Sequence, residues 1–502
     1  MKVLDGEERP LGQVSPDAGG TLLETLRDNG FDVDAPCGGI GICGKCRVQI
    51  RRRGSDIVEE VLACTTDPND VDTVWLPTRH DIDALGQGPQ TVWDDMVPAP
   101  GLGVAIDVGT TTLALDLVSR ETGRSLAVVT AANPQVTFGA DVISRIGACG
   151  EGYLAAMRDG LAGALRDMIR RACKMAGKRS SDISCCVVSG NTTMECIAAG
   201  TDPSPIGRAP FTPPSLFGKE LDGPIAQAPA FFMPCISGYV GGDIVAGALA
   251  CGLDRTDDVV ILLDLGTNGE MVLSNVGQLS ACATAAGPVF EGAGIQCGMR
   301  AIPGAVTRVW IENGTLRCDT VGDCEPMGLC GTGLISAISL LLGIGLVDET
   351  GLFEPSDEGA LPYIAKRAGF DAFLIAPEVF VTQADIRKFQ LAKAAIQAGM
   401  QTILEEAGLG FADVDRILVA GGFGAHLDRD EAVITGLIPL CLRSKMTWVG
   451  NSSLEGSRGV LISPTARQRA MGIARSCTYL ELSTSPRFNE LYIDAMIFGE
   501  ND

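Results

Sequence analysis

The sequence predicts an α/β protein with a small cysteine-bearing unit at its front. Three observations carry that expectation. A hydrophobic–Asp–hydrophobic–Gly–Thr phrase occurs twice, within Val104–Val118 and again within Ile261–Leu273. Apolar strand runs alternate with helical patterns from Val104 onward. Cys37, Cys43, Cys46 and Cys64 stand close together ahead of both, the first three in a glycine-rich run.

Bulk composition sets the limits. A chain of 502 residues holds two or three domains with sizeable cores. At 46% hydrophobic and 20% charged residues it reads as soluble and globular. A formal charge of −23 and a pI near 4.5 exclude the basic face of a nucleic-acid binder. The start, Met1-Lys2-Val3-Leu4 followed by Asp5 and Glu7-Glu8, is unlike a signal peptide. Most of the 18 cysteines sit singly in apolar runs, as at Cys185, Cys196 and Cys282. Both features suit core thiols in a reducing cytoplasm, and so many thiols incline the reading toward an anaerobe. The longest apolar stretch, Leu334 to Val347, is too short to span a bilayer and is broken by Gly343 and Gly345. No membrane segment is expected.

Residues 1–78 read as one unit: a short strand, a helix around Thr21–Arg27, the run Cys37–Cys46, a strand over Arg47–Arg51, then Cys64. The spacing is C-x5-C-x2-C-x17-C. Four thiolates around a glycine-rich triplet suit a 2Fe–2S cluster, because the glycines let backbone amides turn toward the sulfurs. A zinc ribbon would carry two paired C-x2-C knuckles, whereas Cys64 stands alone. The first gap is one residue longer than the plant-type spacing and resembles the vertebrate-type 2Fe–2S ferredoxins, which implies a β-grasp fold. Residues 79–103, with Gly-Gln-Gly-Pro and Val97-Pro-Ala-Pro-Gly, read as a linker. It either lets the first unit swing or dock, or is a passive spacer.

Beyond it, helical patterns cover about Leu154–Ala176, Gly242–Cys251, Leu334–Leu346, Gln383–Glu406 and Pro464–Arg475. Strand runs cover Ile183–Val188, Asp258–Leu263 and Arg416–Ala420. The two Gly-Thr turns offer amides and hydroxyls to a phosphate chain, and an adjacent Asp can hold Mg²⁺ through water or orient an attacking water. Asp107 with Gly109, Thr110, Thr111 and Thr112 would serve one side. Asp264 with Gly266, Thr267 and Asn268 would serve the other. A single copy says little, since any strand–turn–strand can place Gly at the bend. Two copies with matched apolar flanks imply two similar halves on one cleft. Gly421 and Gly422, between a strand and a helix, would let a nucleobase lie on the backbone.

In this order the motifs resemble those of the superfamily of actin, sugar kinases and heat-shock ATPases. The resemblance implies a duplicated ribonuclease-H-like fold with a hinged ATP cleft. Gly241–Ala250 and Gly450–Ser457 would be its two connecting helices. The ferredoxin unit ahead narrows the likeness. The chain is similar to the ATP-dependent reductive activators of corrinoid proteins through Asn133-Pro-Gln135, Gly139–Arg145, Ser189–Met194, Ala286–Gly292, Cys330–Gly333 and Gly422–Leu427. Some members have a further domain after the linker. Here Pro98-Ala-Pro-Gly101 leads straight to the first phosphate motif, and the oligomeric state is left open.

The resemblance implies one-electron transfer from a 2Fe–2S cluster to Co(II), giving Co(I) for methyl transfer, assisted by hydrolysis of ATP with Mg²⁺. The expected partners are a corrinoid protein of a methyltransferase system and a low-potential electron donor. The expected division is 1–78 ferredoxin-like, 79–103 linker, 104–254 first ATPase half, 255–475 second half and 476–502 tail. Three rivals compete: a redox-sensing small-molecule kinase, a 2-hydroxyacyl-CoA dehydratase-type activator, and a nucleotide-gated binding module with a structural cluster. Asn191 and Glu291 either cap turns or reach the cleft. Asp141 and Arg145 read as an i,i+4 pair. His80 and His426 have no assigned role.

Overall fold

The computed structural model describes residues 1–5, 9–15, 20–29, 31, 33, 46–55, 57–76, 91, 93, 95–222, 228–354, 363–367, 369–422 and 427–499. At the front, the helix Leu22–Asp28 packs on a five-stranded mixed sheet. In that sheet Lys2–Leu4 runs parallel to Val71–Trp75, and Arg47–Arg52 pairs antiparallel with Val58–Leu62 and with Val71–Trp75. Val3, Leu22, Leu23, Leu26, Val48, Ile50 and Val74 fill its core. This is the β-grasp arrangement. It closes with a small core of its own because alternate residues of Arg47–Ile50 point inward.

Two six-stranded sheets follow, and they repeat one pattern. In the first, Leu102–Val108, Thr112–Ser119 and Ser125–Ala132 form an antiparallel meander, and Ile183–Gly190 and then Ala230–Pro234 add in parallel beyond Leu102–Val108. In the second, Val259–Leu265, Gly269–Asn275 and Gln278–Thr284 form the meander, with Arg416–Ala420 and Met446–Gly450 added in parallel. The two Gly-Thr phrases thus occupy the same place in equivalent sheets. Strands flanked on both faces must be apolar throughout, which explains the runs Val104-Ala-Ile and Val260-Ile-Leu-Leu.

Two helices lie between the sheets. Gly242–Ala250 and Ser452–Ile462 contribute Ile244, Val245, Ala248, Val460 and Leu461 to a core that also takes Ala105, Val187, Leu262 and Leu418 from both sheets. They cross closely. A Cβ at Gly456 would lie 2.0 Å from the Ala246 carbonyl oxygen, so only glycine permits this crossing.

The helices read from the sequence form as Leu154–Met175, Gly242–Ala250, Gly331–Gly343, Gln383–Glu406 and Pro464–Ser476. The third begins and ends about one turn earlier than its apolar pattern, because Gly331–Gly333 pack inward beside the strand Ala305–Glu312. Gln383–Glu406 opens with Thr382 and Asp385 capping each other reciprocally. Two three-stranded sheets, spanning Ala305–Leu329 and Ile364–Thr382, are inserted in the second half and have no counterpart in the sequence reading.

The segments read as linker and tail are both docked at described positions. Trp93 is buried against Ser452–Ile462. Thr478–Tyr479 extends the second sheet, and Pro486–Asp494 packs along Gln383–Glu406. There Gln390 Nε2 donates to the Met496 carbonyl, the buried Lys393 Nζ to that of Ile497, and Phe389 stacks with Phe498. Among the described residues no helix is long and apolar enough to cross a membrane.

Candidate functional site

The two Gly-Thr turns meet at one carboxylate. Glu291 Oε2 accepts from Thr111 Oγ1 at 2.7 Å and from Thr267 Oγ1 at 3.0 Å. Glu291 therefore reaches the junction of the halves and is not merely part of its own turn.

Each turn is held from behind. Asn133 Nδ2 donates to the Gly109 carbonyl at 2.8 Å, and its backbone N–H donates to the Thr111 carbonyl at 2.9 Å. Asn191 does both things left open for it: Oδ1 caps the helix Thr192–Ala199 at Met194 N, and Nδ2 donates to Thr110 Oγ1 at 3.0 Å. Thr112 opens the return strand. In the second turn, Gly266 N–H donates to the Asn268 carbonyl, so that amide is committed to the turn. Asn268 Nδ2 donates to Glu270 Oε1.

Asp107 and Asp264 end equivalent strands beside these turns. Asn451 Nδ2 donates to Asp107 Oδ2 at 2.9 Å, and Ser453 Oγ donates to Asp107 Oδ1 at 3.0 Å. Gly421, at φ +99°, lets its chain lie against the Asp264 turn, where a Cβ would be 2.5 Å from the Leu265 carbonyl. Gly422 follows it, half-buried. His426 and the rest of the phrase 423–426 lie outside the described residues, as does His80.

Carboxylates concentrate here beyond those expected. Asp243 opens the helix Gly242–Ala250. Glu270 stands directly opposite Asp264 across the meander. Burial pushes the Asp107 carboxyl up despite its two donors. Burial, then the charges of Asp107 and Glu291, push Asp264 up to about 7. Asp243 is pushed well up by burial and then by Asp107 and Asp264, and Glu270 by burial and then by Asp243 and Asp264. Asp107, Asp243 and Asp264 still retain partial solvent access, so they line a crevice rather than a sealed core. Among the described residues no Lys or Arg forms an ion pair with any of these acids. Among the described residues no three of these acids converge as a preformed metal-binding group, although carboxylate oxygens are the ligands that Mg²⁺ takes.

The sequence carried a signal for Glu270. The first phrase has Leu113 where the second has Glu270, so the repeat breaks polar at that position. Asp243, Asn451 and Ser453 gave none beyond their place in the connecting helices.

Arg145 corrects the expected pair. Asp141 caps the helix Val142–Ala148 at Ser144 N. Arg145, with 0% exposure, donates instead to the Gly139 carbonyl and to Gln135 Oε1. Burial lowers its guanidinium to about 10.

In the front unit, Cys46 and Cys64 are 1% and 6% exposed, and their sulfurs lie 3.1 Å apart. That is well beyond a disulfide bond of about 2.05 Å and suits two thiolates of one centre. The Ala63 N–H donates to the Cys46 carbonyl at 2.8 Å and ties the two ligand loops together. Cys37 and Cys43 lie outside the described residues. The chemistry and spacing of this pair fit a 2Fe–2S cluster. Cys185, Cys186, Cys324 and Cys330 are free thiols and join no described metal-binding group.

Comparison with known proteins gives three family matches. Residues 258–502 match the C-terminal domain of RACo, the ASKHA domain, residues 102–256 match the RACo middle region, and residues 8–69 match the 2Fe–2S iron-sulfur cluster binding domain. The corrinoid activation enzyme RamQ of Eubacterium limosum is 30% identical over 94% of this chain and 95% of its own. The [Co(II) methylated amine-specific corrinoid protein] reductase of Methanosarcina barkeri is 27% identical over 56% of this chain and 53% of its own. The solved structure of a reductive activator for corrinoid, iron-sulfur protein superposes with a TM-score of 0.75 at 30% identity, covering 100% of this chain and 99% of the other.

Proposed function

The chain belongs to the RACo family, and on that premise we propose that it reactivates a corrinoid protein, returning Co(II) to Co(I) with one electron while hydrolysing ATP. The observation that carries the nucleotide part is the meeting of both Gly-Thr turns on Glu291. The corrinoid part draws on what the relatives are named for.

Cys37, Cys43, Cys46 and Cys64 would hold the 2Fe–2S cluster, which when bound supplies the single electron. Residues 1–78 would form this unit, 79–103 its link, 104–254 and 255–475 the two ATPase halves, and 476–502 the tail. Asp107 and Asp264, with Asp243 and Glu270 close by, would hold Mg²⁺, which neutralises phosphate charge. Gly109, Thr110, Thr111, Thr112, Thr267 and Asn268 supply hydroxyls and amides for the phosphates, Gly266 shapes its turn, and Gly421 and Gly422 face the nucleoside. Asn133 and Asn191 keep the first turn in shape. The free thiols suit a reducing cytoplasm and a low-potential reductant.

Energetics define what ATP must accomplish. Moving one electron uphill by 100 mV costs about 2.3 kcal/mol. Nucleotide must therefore bind two conformations with different affinity, so that docking and release of the corrinoid protein follow its state. Two similar halves joined through two glycine-crossed helices provide a hinge for such a change.

The test mixes the reduced holoprotein, MgATP and a Co(II) corrinoid protein and follows corrin absorbance. Appearance of Co(I) only with ATP is expected. ATP turnover stimulated by a sugar or an organic acid, with no Co(I), would overturn the reading in favour of a kinase.

A further inference from the structure

The segment just ahead of the first ATPase strand is fastened to the helix that ends on Asp107. The N-terminus of Ser452–Ile462 holds Asp107 through Asn451 and Ser453. One to two turns further on, Glu455 Oε1 accepts from Thr91 N at 3.0 Å and from Trp93 Nε1 at 3.2 Å. Arg458 donates to the Thr91 carbonyl, to the Gly123 carbonyl at 2.9 Å, and to both oxygens of Glu455. Trp93, 8% exposed, lies on Gly459, where a Cβ would come within 2.2 Å of its ring. At the far end, Val97 N donates to the Ile462 carbonyl at 3.0 Å, and Ser463 Oγ donates to Asp95 Oδ2 at 2.6 Å.

A passive spacer would not bury an indole, nor aim its N–H at a carboxylate that already pairs with a buried guanidinium. The helix between the two ends has little freedom to bend. Gly456 meets the Ala246 carbonyl, and Ser457 Oγ bonds Ser189 Oγ at 2.9 Å. From Ser453 to Ser463 it spans about 15 Å at 1.5 Å per residue. Any shift that cation or phosphate imposes on Asp107 moves the helix as a unit, and its other end carries the segment that leads back to the cysteine-bearing unit.

We propose that Thr91, Trp93 and residues 95–97 form a strap through which Trp93, Glu455 and Arg458 transmit the nucleotide state of the cleft to the segment bearing the ferredoxin unit. Trp93 and Glu455 are positioning residues and touch neither nucleotide nor cluster. The inference rests on the proposed nucleotide site, and its test separates the two.

Hydrogen exchange of the full-length protein is compared with and without a magnesium complex of a non-hydrolysable ATP analogue. Binding is expected to slow exchange at 104–112 and 451–454, and also at the Thr91 and Val97 amides, by at least about threefold. In Trp93→Phe, which keeps an aromatic ring but loses the donor to Glu455, the response at 91–97 should fall away while that at 104–112 persists. Unchanged exchange across Val259–Leu265 reports that the variant is folded. A cleft that responds in the parent protein while 91–97 stays silent overturns the strap. So does a Trp93→Phe protein with the full response. Silence at both places overturns the nucleotide reading and the strap with it.

Discussion

Asn451, at the N-terminus of the second connecting helix, donates to Asp107 at the end of the strand Leu102–Val108 across 2.9 Å. With Ser453 on the other oxygen, both carboxylate oxygens are engaged before any ligand arrives. Burial nevertheless raises this carboxyl, so the fold bears a cost to keep it there. Asp107→Asn should lower ATP turnover by about 100-fold or more, the scale seen when one electrostatic contact to a reacting group is lost. It should leave the ligand-free thermal midpoint equal or higher, because a buried charge is gone. A phosphate-release assay and a melting curve measure the two effects. A marked drop in midpoint would assign Asp107 a structural role instead.

Glu291 places negative charge between the two threonines proposed to take phosphate. Without Mg²⁺ it opposes a polyphosphate. In Glu291→Gln, ADP measured calorimetrically in EDTA should bind about three- to tenfold more tightly, an ordinary coupling for one removed charge. Weaker binding in EDTA would show that the carboxylate organises the turns more than it repels.

Asp264 gives a pH dependence whose sign follows from its displacement. It titrates at about 7 in the folded protein, above the ordinary 3.8. The folded state therefore keeps a proton that the unfolded state has released. Through this group, ligand-free stability falls as pH rises from about 4 to about 7 and is level beyond. Mg²⁺ needs the ionised form, so Mg²⁺-dependent nucleotide affinity should climb between pH 6 and 8, with proton release on binding at pH 6. Asp243 and Glu270, also pushed up by burial, act in the same direction. Calorimetry in two buffers of different ionisation heat checks it. A flat affinity with no proton release would contradict the shared-carboxylate site.

Cys64→Ala should abolish the 2Fe–2S absorbance and the EPR signal of the reduced protein and cut the iron content. Cys185→Ser, on the strand Ile183–Gly190 of the first six-stranded sheet, should retain two irons per chain. Retention of full iron by Cys64→Ala would remove it from the ligand set.

Gly456→Ala drives a methyl into the Ala246 carbonyl, which is backbone and cannot swing aside. Overpacking of this kind costs about 1–3 kcal/mol or more. A lower melting point together with weaker MgATP binding is expected, because the crossing sets how the halves approach. Gly472→Ala, in an exposed helical position with open space around it, is the control and should melt no lower than the parent and bind MgATP as the parent does.

Most of the fold was legible because its strands and helices are long and uniform in pattern. The duplicated Gly-Thr phrases marked equivalent sheet positions, and the four-cysteine spacing marked the front unit. The inserted strands such as Thr315–Thr320 were not legible. That strand alternates exposed and half-buried residues around Arg317 and Cys318, with no apolar run to announce it. Asp243 escaped notice because its importance comes from Asp107 and Asp264, far away in sequence. Arg145 was misread for the same reason: helical spacing suggested a surface pair, while tertiary burial turned the side chain toward Gln135. The binding of Trp93 to Glu455 joins residues 362 apart, beyond any local pattern.

The contacts of Gln390 and Lys393 with the carbonyls of Met496 and Ile497 also bear on the order of synthesis. Gln383–Glu406 emerges from the ribosome with the buried Lys393 ammonium about a hundred residues ahead of its Ile497 carbonyl, and with Gln390 able to reach the Thr350 carbonyl but not yet that of Met496. Burial already lowers the Lys393 ammonium to about 8 with that partner in place. The second half therefore stays open along this helix until residues 486–498 have been made. Arrested nascent chains ending before residue 486 should be cut by protease within 383–406, whereas chains extended well past 498 should resist. Equal resistance would show that the helix docks without them.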